Sequence, residues 1–327
     1  MIHINRTERK EYRRIIKQAL YSNIPFLSIL ICFIIKRKTK EYFSFLVLTS
    51  AKFFGNITRN TYVAASMTEL LFTAALIHKV VEDNPVQKVK WYSLNKTLKS
   101  KFAVLIGDYL LAKGLLLAVD QTEYEILRTI SSAVKALSEG EILKLYYPPG
   151  IIISENEYLE LIHLKGSVLI SCCLECGALS TGSSIDTINR FSSFGKMVGL
   201  AFQLSADAKA YKGYYQSDNY PIMLLNNTAF NLPFVHSYEL ANDADKKILY
   251  QHFIDTKKYL PLKHMINIIN KYNGYNYTQE LYEKFITEAI DYLNEFPNTE
   301  DKHQFINAIL HKMNFIRKHK NVPYNLS

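Results

Sequence analysis

The sequence predicts an all-α fold in a single domain, on three observations. Glycine and proline are scarce, 12 and 9 of 327 residues, about half their usual joint share of ~12%. Turn chemistry that sparse does not serve the many short strands of a sandwich or barrel. Apolar residues recur at helical spacing over long stretches, and no Val/Ile/Thr run with a period of two stands out. With 48% hydrophobic and 21% charged residues, the chain can bury a core, which excludes wholesale disorder.

Each element follows in order. Residues 1–25 read as a basic N-terminal helix, ahead of a helical domain over 26–327. Ile24 to Ile35 is apolar, broken by Pro25 and Ser28, and its 12 residues are too few to span a bilayer, so a buried helix is expected. Tyr62 to Val81 holds no glycine or proline and reads as a long, mostly buried helix, stopped by Asp83-Asn84-Pro85. Phe102 to Val119 is a helix with Gly107 and Gly114 on one face, where small residues admit close approach. Ser131 to Tyr147 ends at Pro148-Pro149-Gly150, and Asn156 to Leu179 ends at the Ser/Thr/Gly stretch 180–184. Asp186 to Tyr211 is a further helix. Pro221 and Pro233 bracket a shorter element, and at least three amphipathic helices follow, ending near Lys318.

A net charge of +9 favours anionic partners. No zinc-finger spacing and no block of five basic residues occurs, so a nucleic-acid partner is not expected. Nor is an integral membrane protein. Cys32, Cys172, Cys173 and Cys176 form no secreted disulfide framework and no complete zinc set. Buried free thiols, and hence a reducing cytoplasmic compartment, are expected.

Five strings, in order, carry a family resemblance. Ala75-Leu76-Ile77-His78 followed by Asp83-Asn84 resembles S-L-I-H-D-D-x-x-D-N. Gly107-Asp108-Tyr109-Leu110-Leu111-Ala112 matches G-D-Y-L-L-A, and Gly140-Glu141-Ile142 resembles G-E-I-x-Q-L. Tyr158-Leu159 through Lys165 resembles Y-L-x-x-I-x-x-K-T. Phe194-Gly195, Gly199 and Ala201-Phe202-Gln203 resemble F-G-x-x-x-G-x-A-F-Q. These are the motifs of the trans-isoprenyl diphosphate synthases, the polyprenyl synthetase family. The resemblance implies an orthogonal helical bundle around a central cavity, and homodimers that condense an allylic diphosphate with isopentenyl diphosphate. It implies two aspartate clusters holding Mg²⁺ against the diphosphate.

The chain departs from that pattern where the clusters belong. The first D-D-x-x-D reads Lys79-Val80-Val81-Glu82-Asp83, and the second reads Ala206-Asp207-Ala208-Lys209-Ala210. Lys79 would repel a divalent cation. No cofactor is therefore expected, with Mg²⁺ admitted only if the two remaining aspartates suffice. The surviving Asp83 and Asp207 are the candidate catalytic acid or base. Lys36, Arg37, Lys79, Lys88, Lys165 and Gln203 are the candidate diphosphate-binding residues. Ala74 and Ala75 occupy the positions that gate the chain pocket in the family. The loop following the second motif is shortened between Gly213 and Pro221. The expected function is a polyprenyl-synthetase-like protein of isoprenoid biosynthesis without standard Mg²⁺-dependent elongation. It would be a non-catalytic partner subunit or isoprenoid binder, as a homodimer or in a heterodimer with a catalytic synthase. The alternative is an atypical prenyltransferase or terpenoid-converting enzyme with a metal-poor site.

Overall fold

A computed structural model describes residues 4–24, 27, 31, 34–35, 41–55, 57–82, 96–147, 151–216, 231–254 and 262–312. Among these residues no β-strand occurs. The helices are α1 (Arg6–Ala19), α2 (Tyr42–Phe53), α3 (Arg59–Glu82), α4 (Lys96–Asp120), α5 (Tyr124–Tyr146) and α6 (Glu155–Ile162). They continue with α7 (Val168–Leu179), α8 (Ile185–Gln216), α9 (Leu232–Leu240) and α10 (Asp243–Ile254). The last are α11 (Leu262–Lys271), α12 (Gly274–Asp291) and α13 (Glu300–Lys312). The all-α expectation holds, and the long helices fall where the sequence reading puts them, although α4 and α5 start earlier, at Lys96 and Tyr124, and α8 runs on to Gln216.

Local chemistry starts several of them. Asn5 and Ser154 each close a capping box, with Glu8 and Glu157 reaching back to the cap, which satisfies amides that a helix start leaves unpaired. The Asn231 side chain accepts from the Phe234 amide at 3.1 Å, and Pro233 sits in the first turn of α9, where its missing N–H costs nothing.

The α7 helix, apolar nearly all round, is the hub. The carbonyl of its Leu174 accepts from Ser50 of α2 at 2.6 Å, and its Ser171 hydroxyl donates to the Ser192 carbonyl of α8 at 2.6 Å. Just before it, Ser167 donates to the Lys196 carbonyl at 2.7 Å. Glycines make these approaches possible. A Cβ on Gly199 would stand 2.5 Å from the Ser167 Cα, and one on Gly195 would stand 2.6 Å from the Ser171 Cα. The F-G-x-x-x-G string is thus a packing surface. The same logic joins α3 to α4. The His78 ring fills the space over Gly107, and Leu71 lies 2.6 Å from where a Gly114 Cβ would be. That is the close approach expected of two small residues seven apart.

Between α6 and α7 the chain winds one π-helical segment, His163–Ser167. The sequence reading took Asn156 to Leu179 as one uninterrupted helix. Single π turns inside helices occur frequently at functional sites, and this one carries Lys165-Gly166.

The core runs continuously through α1 to α5, α7 and α8 and takes in Phe305 and Ile309 of α13. Its floor is a nest of phenylalanine rings, Phe53, Phe54, Phe191, Phe296 and Phe305, with centroids 4.6–6.3 Å apart. A smaller cluster under α6, α8 and α9 packs Tyr158, Leu161, Leu200, Leu204 and Leu232. Another joins α9 to α10 and α11. Cys172, Cys173 and Cys176 are buried free thiols. Burial pushes Cys172 and Cys173 up, away from the reactive thiolate.

Gly199→Val is expected to destabilise the fold by about 1–3 kcal/mol, because the new side chain must force α8 away from the Ser167 backbone. Urea denaturation checks it, as a lowered midpoint at unchanged slope.

Candidate functional site

The described motif residues lie on α3, α4, α5, α6, the π segment and α8. The end of α3 carries Ala74, which is buried in the core, and Ala75, which is partly buried at its edge. His78 follows, with Nε2 at 3.2 Å from the Asp108 carboxylate of α4. Asp108 and His78 therefore brace α3 against α4 below the first motif. Lys79 lies in α3 with its side chain outside the described set. Lys36, Arg37, Asp83 and Lys88 lie outside the described residues, as does the shortened loop beyond residue 216.

Toward the end of α5, Gly140 leaves room for Leu164 and Lys165 of the π segment. The neighbouring Glu141 carboxylate stands 3.5 Å from the Lys165 ammonium, both mostly buried. Lys165, an expected diphosphate-binding residue, is therefore held in place by a counter-ion that the sequence reading left unassigned.

The second motif is built differently. Asp207, on the inward face of α8, is 7% exposed. One carboxylate oxygen accepts from Gln203, one turn back, at 3.0 Å. The other accepts from the Tyr158 hydroxyl of α6 and from the Leu232 amide, at 3.2 Å, in the first turn of α9. An anionic side chain at a helix N-terminus is where backbone amides favour it. Burial is the larger influence, however, and pushes Asp207 up to about 6 against the pull of its three donors. The sequence reading took Asp207 as a candidate catalytic acid or base. The structure supplies a tyrosine, a glutamine and a backbone amide. Tyr158 lay within a quoted motif string, at its first position, and that placement was the available signal.

A cleft of about 550 Å³ opens between α5, α7 and α8, lined by none of these residues. Its floor holds the Glu175 carboxylate, which accepts from Thr129 at 3.3 Å and from Ser192 at 2.9 Å. His163 lies at its upper end, its basicity lowered by burial and by the charge of Lys196. Nothing in the sequence pattern pointed to this cleft.

A fold of this kind, with its G-D-Y-L-L-A and F-G-x-x-x-G strings serving as helix contacts and its second motif facing Tyr158, defines the class of isoprenoid synthases. The chain belongs to the polyprenyl synthetase family, whose sequence pattern matches residues 25–269. It is 26% identical over 266 residues to the geranylgeranyl diphosphate synthase of Sulfolobus acidocaldarius, covering 78% of this chain and 80% of that one. It is 29% identical over 190 residues to the decaprenyl-diphosphate synthase of Dictyostelium discoideum, spanning 58% of this chain but only 41% of that protein. Among solved structures, a decaprenyl diphosphate synthase from Rhodobacter capsulatus superposes with a TM-score of 0.82 at 20% identity, over 93% of this chain and 95% of the other. A polyprenyl synthase from Caulobacter crescentus, complexed with calcium and isoprenyl diphosphate, gives 0.75 at 20% identity over 94% of both chains.

This kinship corrects one expectation, that no metal cofactor is needed. The relatives are diphosphate synthases that use Mg²⁺, and the Caulobacter neighbour holds a divalent cation together with its diphosphate. The physical reason is that Mg²⁺ is bound through one or two carboxylates plus substrate phosphates, so counting motif aspartates undercounts its ligands. The described residues do not themselves form a preassembled centre. Among them no three His, Cys, Asp or Glu side chains gather as a metal site, and both Asp207 oxygens are engaged by protein donors.

The raised Asp207 gives a signed pH effect. The native chain keeps this proton up to about pH 6, whereas the unfolded chain releases it near 3.8. Between these values the native state binds more protons, so this site's contribution to stability falls as pH rises, with a limiting slope of about 1.4 kcal/mol per pH unit. Asp207→Asn is expected to abolish that fall. Denaturant titrations of both proteins between these two pH values check it.

Proposed function

We propose that this family member is an isoprenyl-diphosphate-binding protein of isoprenoid biosynthesis, cytoplasmic and homodimeric, in which chain elongation is reduced. One observation carries the reading. The Asp207 carboxylate is spent inside the protein on Tyr158, Gln203 and Leu232 and is not offered to a ligand. The other charged candidates named from the sequence, Asp83 apart, are basic. Lys36, Arg37, Lys79, Lys88 and Lys165 supply cations for a diphosphate, with Glu141 holding Lys165 ready until the anion arrives. Asp207 is then a positioning residue that fixes the start of α9, and Gln203 carries its amide between that latch and the site. Ala74 and Ala75 are the small residues of α3 that would border an apolar chain in this reading.

A second reading is an elongating synthase. It is favoured by the relatives, which are themselves synthases. Incubation with isopentenyl diphosphate and C5, C10 or C15 allylic diphosphates separates the two. The binder reading expects saturable calorimetric binding of an allylic diphosphate, with turnover at least 100-fold below the enzyme median of about 10 s⁻¹. Any product should form only with Mg²⁺ and vanish in excess chelator. Turnover near that median would establish the synthase and overturn reduced elongation.

The dimer rests on α4. The stretch Lys101–Asp120 is long and apolar enough to cross a membrane, yet only 28% buried within the chain. Glu155–Leu179 passes the same test but is 67% buried and is core. Along α4, Phe102, Leu105, Leu115, Leu116 and Val119 are exposed. A second copy laid antiparallel sets Leu105 against Leu116 and Phe102 against Val119, and brings Lys101 to the end that carries Asp120. The stripe is therefore complementary to itself, as an isologous contact requires, which favours two copies of this chain over a heterodimer. Leu105→Glu with Leu116→Glu is expected to convert a dimer to a folded monomer in sedimentation velocity. A monomeric wild type at micromolar concentration would overturn the dimer.

A further inference from the structure

The outward face of α1 is a stripe of basic residues. Arg6, Lys10, Arg13 and Lys17 fall at i, i+4, i+7 and i+11, with Arg9 and Arg14 flanking them. All six are exposed, opposite the buried Tyr12, Ile15 and Ile16. Two are neutralised, Arg13 by Glu41 at 2.9 Å and Arg14 by Glu11 at 2.5 Å. Arg6, Arg9, Lys10 and Lys17 form no ion pair among the described residues. Their charge faces solvent along roughly 16 Å of helix.

At the end of the stripe the chain turns apolar outward. Within the single chain Tyr21 is 71% exposed and Ile24 is 60% exposed, at the edge of the α4 stripe assigned above to a second copy. This segment is tethered to α4, since the Lys113 ammonium donates to the Tyr21 carbonyl at 2.8 Å and the Tyr109 hydroxyl donates to the Leu20 carbonyl at 3.4 Å. An exposed tyrosine and isoleucine are thus presented from a fixed backbone, next to uncompensated cations.

We propose that the cationic face of α1, with Tyr21 and Ile24, is a docking surface for an anionic lipid bilayer. The charges complement acidic headgroups, and the two side chains enter the interface, where tyrosine's amphipathic ring and an aliphatic chain are favoured. A nucleic acid would use the cations but would leave Ile24 unsatisfied, so the lipid surface is the better match. None of these residues belongs to the candidate site, and the inference is independent of whether the site turns over.

The experiment is flotation of the full chain with vesicles of phosphatidylcholine alone and with one-third phosphatidylglycerol, at low and high salt. Binding is expected to the anionic vesicles at low salt, at least about tenfold stronger than to neutral vesicles or at high salt. Replacing Arg6, Arg9, Lys10 and Lys17 together by Gln should weaken it by about 100-fold or more. Tyr21→Ser with Ile24→Ser should weaken it severalfold and leave the salt dependence in place. These side chains face solvent, so thermal unfolding should not change. Equal binding to both vesicle types, or to neither, would overturn the inference. So would a folded four-Gln variant that floats like the wild type. Displacement from the vesicles by a duplex DNA oligonucleotide that binds more tightly at the same salt would assign the stripe to nucleic acid instead.

Discussion

The distance between α7 and α8 is the constraint on which the rest of the molecule depends. Two glycines of α8, Gly195 and Gly199, let its backbone rest on that of α7 and the π segment. Serine hydroxyls from the opposing helix then reach bare carbonyls of α8. These bonds satisfy acceptors that already belong to the α8 ladder, so their value is mainly geometric. They fix the rotation of α8 about its axis. With that rotation set, Gln203 and Asp207 point at α6 and α9, and Phe191 and Phe194 enter the core. A wider spacing would leave Tyr158 unable to reach Asp207.

The chemistry at Asp207 is that of a carboxylate held inside the bundle. In the family pattern this position belongs to an acidic cluster. Here its neighbours are alanines and a lysine, and its oxygens face inward to protein donors. Burial raises the cost of its charge, and three donors bring part of that cost back. A carboxylate so placed acts as a joint between three helices. Glu155 does similar work nearby, accepting from the Tyr277 hydroxyl at 2.5 Å, while His236 stacks on the Tyr277 ring. Both acids tie α6 to the helices that follow it.

Much of the fold was legible because its cues are local. The glycine-free run before Asp83, the proline stop at 148–149 and the spacing of Gly107 and Gly114 each dictate a helix or a contact without reference to the rest of the chain. The π segment was not legible, since a π turn and an α turn tolerate the same residues and differ only in winding. The partners of Asp207 and Lys165 were not legible either. Tyr158 is 49 residues away from Asp207 and Glu141 lies on a different helix from Lys165, so only the packed bundle sets them side by side. The metal expectation failed for a related reason. Counting aspartates treats the protein as the sole source of oxygen ligands, and a diphosphate brings its own.

The winding of His163–Ser167 has a consequence for how this chain tolerates insertions and deletions. Each residue advances an α-helix by about 100°, so a length change within a straight helix turns everything beyond it out of register. A π turn already stores one extra residue as a local bulge. Losing one there would relax the bulge into ordinary helix, keeping α6 and α7 facing as they do while re-seating Leu164 and Lys165 over Gly140 and changing where Lys165 points. Sequence length at this junction can therefore drift without turning α6 and α7 out of register, making it the place in the bundle where Lys165 can be re-aimed while the flanking helices keep their facing.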